Sequence, residues 1–260
     1  MSVLQALILG LIQGLTEFLP ISSSGHLEIG KVLLNVELKD NLIFSVVVHG
    51  ATVLSTIVVF WKEIKKLFSD LFKFQWNDST EYIAKLLLSM IPVLIIGLLF
   101  KDELEELFTG NLLLVGVMLC TTAILLALAY KVKQGNKKIS FLNSFIVGIA
   151  QAIAVLPGLS RSGATISTGL LLGIKREEIA RFSFLMVLIP IIGANVLDIL
   201  SYNSSVNAEV SIPVLFAGFI AAFISGLIAC KWMINLVKKG KLIYFAIYCL
   251  IIGIIAIIFA

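Results

Sequence analysis

Three ionisable side chains stand in two polar stretches of a chain that is otherwise largely apolar. Glu17 and His26 belong to the first stretch, with Glu28 just beyond it, and Arg161 belongs to the second. A charge in apolar surroundings is costly, and it usually pairs with another group or takes part in function. The most specific chemistry belongs to Arg161, because a guanidinium binds phosphate oxygens through two parallel hydrogen bonds.

The neighbours of Arg161 are typical of an oxyanion site. They are Pro157, Gly158, Ser160, Ser162, Gly163 and Thr165. Hydroxyl groups donate hydrogen bonds, glycine lets a ligand approach the backbone, and a helix that begins here offers free N–H groups and the positive end of its dipole. These features predict a phosphate site. In the alternative interpretation, Arg161 only pairs with Glu17 as a structural tie, and the serines cap helices.

Gln13 and Glu17 are spaced four residues apart, so both side chains project from one face of a helix. A carboxylate there is a candidate ligand for Ca2+ or Mg2+, since Mg2+ is commonly held by one or two carboxylates together with substrate phosphates. The alternative for Gln13 is packing, because Gly10 and Gly14 would let another helix approach this face closely.

A hydroxyl and an imidazole are spaced to meet a little further along. Ser23 and His26 lie three residues apart and can touch on one helical face. A hydroxyl beside an imidazole is the minimal activated nucleophile; the alternative is a serine-rich helix cap with an unrelated histidine. The other histidine, His49, lies in an apolar run and is expected to be a hydrogen-bonded residue of a helix interface.

The composition places this chemistry in a membrane. Of the 260 residues, 59% are hydrophobic and only 14% are charged, and the mean hydropathy is +1.06. A soluble domain has about a quarter of its residues charged, so a soluble domain, a disordered chain, a collagen-like fibre and a secreted disulfide scaffold are excluded. The three cysteines lack metal-ligand spacing, and no cleaved signal peptide is expected. We expect an all-α integral membrane protein.

Eight apolar stretches organise the chain. Six have the roughly 20 residues that are needed to cross the hydrocarbon core. They cover residues 41–61, 83–100, 112–130, 182–200, 212–230 and 242–260. The other two, in residues 3–34 and 141–174, are interrupted by Pro, Gly and Ser. We expect each interrupted stretch to form a re-entrant pair of broken helices.

The two interrupted stretches are similar to each other. Gly10, Gln13, Ser24 and Gly25 recur 138 residues later as Gly148, Gln151, Ser162 and Gly163. Further echoes are Phe44-Ser45 with Phe182-Ser183, and Ile91-Pro92-Val93 with Ile212-Pro213-Val214. The sequence therefore predicts two repeats, residues 1–135 and 136–260, that form one structural unit. With three full spans in each, the repeats would be inserted with inverted topology.

Positive charges predict the orientation. If both interrupted stretches are re-entrant, the regions 62–85, 131–138, 175–181 and 231–241 lie on one side and carry 16 of the 20 Lys and Arg residues. The positive-inside rule makes that side cytoplasmic and both termini external. Irregular backbone at membrane depth is tolerated only inside protein or beside a wet cavity. We therefore expect the two interrupted stretches to meet and form the site.

The two polar motifs together resemble those of a known family. QGLTEFLPISSSGH, which begins at Gln13, and PGLSRSGATIS, which begins at Pro157, are similar to the motifs of the undecaprenyl-pyrophosphate phosphatases of the bacitracin-resistance type. The resemblance covers the whole chain. It implies hydrolysis of undecaprenyl diphosphate to undecaprenyl phosphate and inorganic phosphate, at the bacterial plasma (inner) membrane, with the site open to the outer face. This reaction recycles the lipid carrier for wall polymers such as peptidoglycan and gives bacitracin resistance.

The resemblance also implies roles for individual residues. Gln13 and Glu17 fill the first family motif and would hold a divalent cation, Ca2+ or Mg2+. The phosphate-binding residues would be Ser22, Ser24, Ser160, Arg161, Ser162 and Thr165. The catalytic residues would be Glu17, Ser23, His26 and Arg161. After the phenylalanine equivalent to Phe44 the family often has an acidic residue, whereas this chain has Ser45.

The expected partners are a polyprenyl diphosphate and membrane lipids, with a homodimer as a candidate assembly and no nucleic acid. The rival function is a secondary transporter or flippase for a phosphorylated lipid. Inverted repeats with broken helices near the bilayer midplane are typical of transporters. A transporter would move its substrate without changing it.

Overall fold

The computed structural model of the protein describes residues 1–36, 42–107, 111–201 and 210–260. Within these ranges the regular structure is helical, apart from one isolated bridge between Lys137 and Ile174. The helices are α1 (Val3–Phe18), α2 (Ser23–Leu33), α3 (Leu42–Val59), α4 (Trp61–Leu71), α5 (Asp78–Leu99), α6 (Lys101–Leu107), α7 (Leu112–Lys131), α8 (Phe141–Ile153), α9 (Arg161–Leu171), α10 (Arg176–Met186), α11 (Leu188–Ser201), α12 (Ile212–Lys238) and α13 (Ile243–Ile258). The predicted all-α class is confirmed.

Both interrupted stretches contain a break where the sequence predicts one. α1 and α2 flank Pro20 in the first stretch, and α8 and α9 flank Pro157 in the second. A residue before proline avoids the helical conformation, which favours an end to the helix at these places. α1 has 16 residues and α8 has 13, whereas a full crossing takes about 20. Each of these helices is therefore shorter than a full span.

Four helical runs in the described part of the chain are long and apolar enough to cross a membrane. They are Asp78–Leu99, Leu112–Lys131, Arg176–Leu200 and Ile212–Lys238. A fifth candidate is the pair α3 and α4 taken together as one span, although the two helices meet at a bend of 77°. The sixth predicted span contains α13, which has only 16 residues. The count of six full spans therefore stays a prediction.

The predicted spans differ from the helices at several points. Position 41, the first residue of the span 41–61, lies outside the described residues. The span 182–200 is divided at Val187, between α10 and α11. Pro190 explains this break, because its ring clashes with the carbonyl group four residues earlier and it has no N–H to donate.

The echo between Ile91-Pro92-Val93 and Ile212-Pro213-Val214 does not mark equivalent places. Pro92 lies inside α5, whereas Pro213 lies in the first turn of α12. Proline is well tolerated in a first turn, where its missing N–H has no intrahelical partner. The similarity of these two tripeptides is therefore no guide to the repeat.

Small residues let helices from the two predicted repeats pack with their backbones in close contact. α1 packs along α12, where a Cβ atom on Gly10 would lie 2.4 Å from the carbonyl oxygen of Gly218. α8 packs along α5, where a Cβ atom on Gly148 would lie 2.3 Å from the carbonyl oxygen of Ser89. Such contacts are typical of helices in membranes. The first helix of each interrupted stretch, α1 or α8, is thus supported by a long helix of the other predicted repeat.

We expect Gly10→Ala to lower the thermal unfolding midpoint of the protein in detergent. The added methyl group would meet the backbone of Gly218, which moves only if α12 moves, and overpacking of this kind costs about 1–3 kcal/mol. Gly97→Ala is the matched control, because nothing lies within 4 Å of the place of its Cβ atom. Equal midpoints for the two variants would contradict the close contact of α1 with α12.

Candidate active site

The carboxylate of Glu17 is the centre of the polar site. Glu17 is the last residue but one of α1, and only 7% of its side chain is exposed. Its Oε1 atom accepts a hydrogen bond from Nη2 of Arg161 at 3.0 Å. Arg161 is the first residue of α9, so this ion pair joins the two broken stretches. A buried carboxylate needs such a partner because it has lost its water.

The other oxygen of Glu17 accepts two further hydrogen bonds. Ser23 Oγ donates to Oε2 at 2.7 Å, and Gln13 Nε2 donates to it at 2.9 Å. Ser23 is the first residue of α2, so α2 and α9 both begin beside the same carboxylate. The partial positive charge at helix N-termini favours an anion in this place. Ser23 and Arg161 are also 138 residues apart, which is the offset between the two similar stretches.

The two half-helices begin in matching ways. Ser22 Oγ accepts a hydrogen bond from the N–H of Gly25 at 3.2 Å, and Ser160 Oγ accepts one from the N–H of Gly163 at 3.1 Å. The breaks also touch, because a Cβ atom on Gly25 would lie 3.1 Å from Cα of Gly158. The expectation that the two interrupted stretches meet is confirmed by these contacts and by the ion pair.

Several of the predicted phosphate-binding hydroxyl groups are engaged within the protein. Thr165 Oγ1 donates to the carbonyl oxygen of Arg161 at 2.9 Å and lies 2.6 Å from Ser183 Oγ. Four of these residues are buried, namely Ser22, Ser160, Ser162 and Thr165. Ser24 and Arg161 are partly exposed. A phosphate group would therefore meet Arg161 and the start of α2 first, and a direct role for the buried hydroxyls stays a prediction.

Both ring nitrogens of His26 have partners other than Ser23. Nδ1 lies 2.7 Å from the carbonyl oxygen of Ser22, and Nε2 lies 2.8 Å from the hydroxyl oxygen of Tyr248 in α13. The expected pair of Ser23 and His26 is replaced by a pair of Ser23 and Glu17, because the hydroxyl donates to the carboxylate. Sequence reasoning missed Tyr248, which lies in the last apolar run, 222 residues from His26.

His49 lies closer to the site than the sequence suggests. Its Nδ1 atom lies 2.8 Å from the carbonyl oxygen of Ser45, as a hydrogen-bonded interface residue requires. Thr52, Val53 and Thr56 follow on the same face of α3 and line a pocket at the ion pair. His49 therefore belongs to the surroundings of the site as well as to a helix contact.

The pocket beside the ion pair is lined by both polar and apolar side chains. Polar groups come from Glu17, Thr52, Thr56, Arg161, Ser162 and Ser183. Apolar groups come from Phe18, Val53, Phe184, Val187, Leu188 and Ile191. The break between α10 and α11 lies at Val187, so it contributes to the apolar lining. A mixed lining of this kind offers contacts to both the polar and the apolar part of an amphiphile.

The residues expected to bind a divalent cation offer few free oxygens. Both carboxylate oxygens of Glu17 accept hydrogen bonds from the protein, whereas Oε1 of Gln13 is buried without a hydrogen-bond partner. Glu28 pairs with Lys31 at 3.1 Å. Across the described ranges, no group of three or more His, Cys, Asp or Glu side chains could hold a metal ion. Gln13 and Glu17 fit a cation if ligand phosphates supply most of its coordination, as is common for Mg2+.

Comparison with known proteins gives a consistent result over nearly the whole chain. A family described as "Bacitracin resistance protein BacA" matches residues 6–255. An undecaprenyl-diphosphatase of Bacteroides fragilis is 56% identical over 257 residues, which cover 98% of this chain and 97% of that protein. One from Parabacteroides distasonis is 56% identical over 260 residues (99% and 98%). One from the more distant Methanosphaera stadtmanae is 39% identical over 276 residues (99% and 98%).

Proposed function

The chain belongs to the bacitracin resistance protein BacA family, and on that premise we propose that it hydrolyses undecaprenyl diphosphate to undecaprenyl phosphate and inorganic phosphate. The observation that carries the proposal is the buried carboxylate of Glu17, which holds Arg161 on one oxygen and Ser23 on the other. This arrangement places the hydroxyl of Ser23, which the carboxylate can activate, near the guanidinium of Arg161, which can bind phosphate. The product is the lipid carrier for wall polymers such as peptidoglycan, and its recycling gives bacitracin resistance.

The diphosphate head group binds at the ion pair, and the polyprenyl tail runs past the apolar residues that line the pocket toward the lipid. The terminal phosphate lies against Arg161, where the first N–H groups of α2 and α9 also favour an anion. The remaining proposed phosphate-binding residues are Ser22, Ser24, Ser160, Ser162 and Thr165. Preorganised donors of this kind stabilise a transferring phosphoryl group without any reorganisation during the reaction.

Ser23 is the proposed nucleophile and Glu17 is its base. The Ser23 hydroxyl gives its proton to Oε2 of Glu17, from which its Oγ atom is 2.7 Å away. A bond forms between Oγ and the terminal phosphorus, and the bond from that phosphorus to the bridging oxygen breaks. The bridging oxygen leaves with the lipid and takes the proton from Glu17. Arg161 offsets the negative charge of the transferring group.

A water molecule completes the reaction. It attacks the phosphorylated Ser23, gives a proton to Glu17, and releases inorganic phosphate as the Oγ–P bond breaks. Glu17 returns the proton to Oγ, so the enzyme ends in its starting state. Direct attack by His26 is the alternative route, but it would require Nε2 to separate first from the hydroxyl of Tyr248.

A divalent cation, Ca2+ or Mg2+, is part of the proposal. Gln13 would hold it through its unpartnered amide oxygen, together with the carboxylate of Glu17. When bound, the cation neutralises charge on the diphosphate. The protein supplies few oxygens of its own, so the cation would arrive together with the substrate.

The proposed architecture is an inverted repeat in the plasma (inner) membrane. It is supported by the matching caps of α2 and α9, and by the packing of α1 on α12 and of α8 on α5. The distribution of positive charges supports external termini, and the family membership supports a site that opens to the outer face. A homodimer stays a prediction.

Purified protein should release phosphate from a long-chain isoprenyl diphosphate, and Glu17→Ala, Ser23→Ala and Arg161→Ala should each lower kcat/KM by about 100-fold or more. Glu17→Ala removes the proton acceptor, Ser23→Ala removes the nucleophile, and Arg161→Ala removes the positive charge beside the phosphate. Arg181→Ala is the control, because Arg181 is 3.9 Å from its carboxylate partner Glu178 and does not line the pocket. Full activity in a folded Glu17, Ser23 or Arg161 variant would refute the role of that residue.

The same incubation separates the enzyme from the rival transporter or flippase. Mass analysis of the recovered lipid should show the monophosphate with one equivalent of inorganic phosphate. Transport of an unchanged diphosphate lipid across proteoliposomes would favour the rival instead.

Removal of divalent cations with a chelator should abolish phosphate release, and added Ca2+ or Mg2+ should restore it. Gln13→Glu should lower the cation concentration needed for half-maximal activity, because a carboxylate binds a hard cation more tightly than an amide. Activity that is indifferent to the chelator would count against the cation.

A single cysteine at Ser211 should react with a membrane-impermeant thiol reagent added from outside, whereas one at Asn136 should not. Both side chains are exposed, and they lie in the loops 201–211 and 134–137, which we assign to opposite faces. The first of these loops also contains residues 202–209, which lie outside the described residues. The unaltered chain is the control for background labelling, since Cys230 and Cys249 are buried and Cys120 is half-buried. The reverse pattern of labelling would overturn the orientation.

A further inference from the structure

His26 links the first half-helix to the last helix of the chain. Its imidazole lies parallel to the ring of Tyr248, with 5.5 Å between the ring centroids and 12° between the planes. The hydroxyl oxygen of Tyr248 is 2.8 Å from Nε2, and the carbonyl oxygen of Ser22 is 2.7 Å from Nδ1. Stacking and two hydrogen bonds together fix both the position and the rotation of the imidazole.

These contacts also determine where the proton of the imidazole lies. A carbonyl oxygen can only accept a hydrogen bond, so Nδ1 of His26 carries a proton and donates it to Ser22. In a neutral imidazole Nε2 is then an acceptor, and the hydroxyl of Tyr248 is its donor. Both nitrogens therefore serve to hold the imidazole in place.

The contacts of His26 with Tyr248 and Ser22 form a clamp, and Ser22 is the residue that this clamp restrains. It has φ 69° and ψ 101°, in the left-handed half of the conformational map, which residues other than glycine rarely adopt. Such a conformation costs about 1–3 kcal/mol and persists only where the surroundings enforce it. The carbonyl oxygen of Ser22 accepts one hydrogen bond from Nδ1 of His26 and another from the backbone N–H of His26, at 3.2 Å. The hydroxyl of Ser22 is held in turn by the N–H of Gly25.

We propose that Tyr248 is a positioning residue of the diphosphatase reaction, which acts through His26 and the carbonyl group of Ser22 to aim the Ser23 hydroxyl at Glu17. Ser23 directly follows the restrained residue, so a change in the backbone at Ser22 would swing its Oγ atom away from the carboxylate. This inference rests on the proposed function, since it assigns Ser23 the attacking role.

Tyr248→Phe should lower kcat by roughly tenfold, the effect expected when one hydrogen bond that holds a reacting group is removed. KM should change less than twofold, because the phenyl ring still fills the same space. Tyr244→Phe is the matched control on the same helix, one turn away, where the side chain is 65% exposed. An unchanged kcat in Tyr248→Phe, or a higher one, would overturn the proposal; a higher one would mean that the phenol restrains an attacking imidazole.

His26→Asn tests whether Tyr248 acts through the imidazole. An asparagine amide can donate to the carbonyl oxygen four residues earlier, as Nδ1 does, but its side chain is too short to place an acceptor where Nε2 meets Tyr248. The variant should retain measurable turnover, and adding Tyr248→Phe should lower kcat no further. Additive losses would contradict an action through His26, and complete loss of turnover in folded His26→Asn would show that the imidazole itself performs the chemistry.

Nitrogen-15 NMR of protein labelled at histidine detects the same clamp through the ring nitrogens of His26, without any need for catalytic turnover. The chain has two histidines, and His49→Gln assigns their signals. Wild-type His26 should show a protonated Nδ1 and an unprotonated, hydrogen-bonded Nε2, and Tyr248→Phe should shift the Nε2 signal. A protonated Nε2 in the wild type, or no shift in the variant, would overturn the clamp. If the clamp is present but the pure protein releases no phosphate, the proposed function fails and the clamp stands.

Discussion

A carboxylate that is buried among apolar helices stays charged only where donors surround it, and this requirement governs the arrangement around Glu17. Its two oxygens accept hydrogen bonds from Arg161, Ser23 and Gln13. The donors come from three helices, which the carboxylate therefore holds together. Removing one charge of such a pair leaves the other buried without compensation, at a cost of about 3–5 kcal/mol. The contact that stabilises the two broken stretches is thus the contact that we propose prepares the reaction.

The rest of the fold brings two helix N-termini to this point. α2 and α9 can begin beside one carboxylate only if their breaks touch, which the close approach of Gly25 to Gly158 permits. Gly158 has φ 91°, a conformation that favours glycine. Behind them, Gly10 and Gly148 let α1 and α8 approach long helices of the opposite half. Backbone contacts of this kind fix the distance between helices, so the donors around Glu17 are held in place.

The sequence predicted the broken stretches and their meeting, and offered the contact of Arg161 with Glu17 as one of two alternatives, because these follow from local signals. Proline and glycine mark the breaks, and two isolated charges in apolar segments have few partners to choose from. The structural tie and the functional site, which the sequence offered as alternatives, involve one and the same contact. The partner of Ser23 was not predictable, because residue spacing favoured His26 on the same helix over Glu17 across the break. Tyr248 was hidden, since an aromatic residue in an apolar span resembles lipid-facing surface until its partner is known. The break at Val187 could have been found from Pro190.

The most direct test of this account is a search for the phosphate on the enzyme itself. Wild-type protein is mixed with a long-chain isoprenyl diphosphate, quenched within the first turnover, digested and analysed by mass spectrometry. The account predicts a phosphoryl group on Ser23 that appears before inorganic phosphate and is absent from Glu17→Gln, which cannot accept the proton. A phosphoryl group on His26, or phosphate release at the wild-type rate by Ser23→Ala, would contradict it.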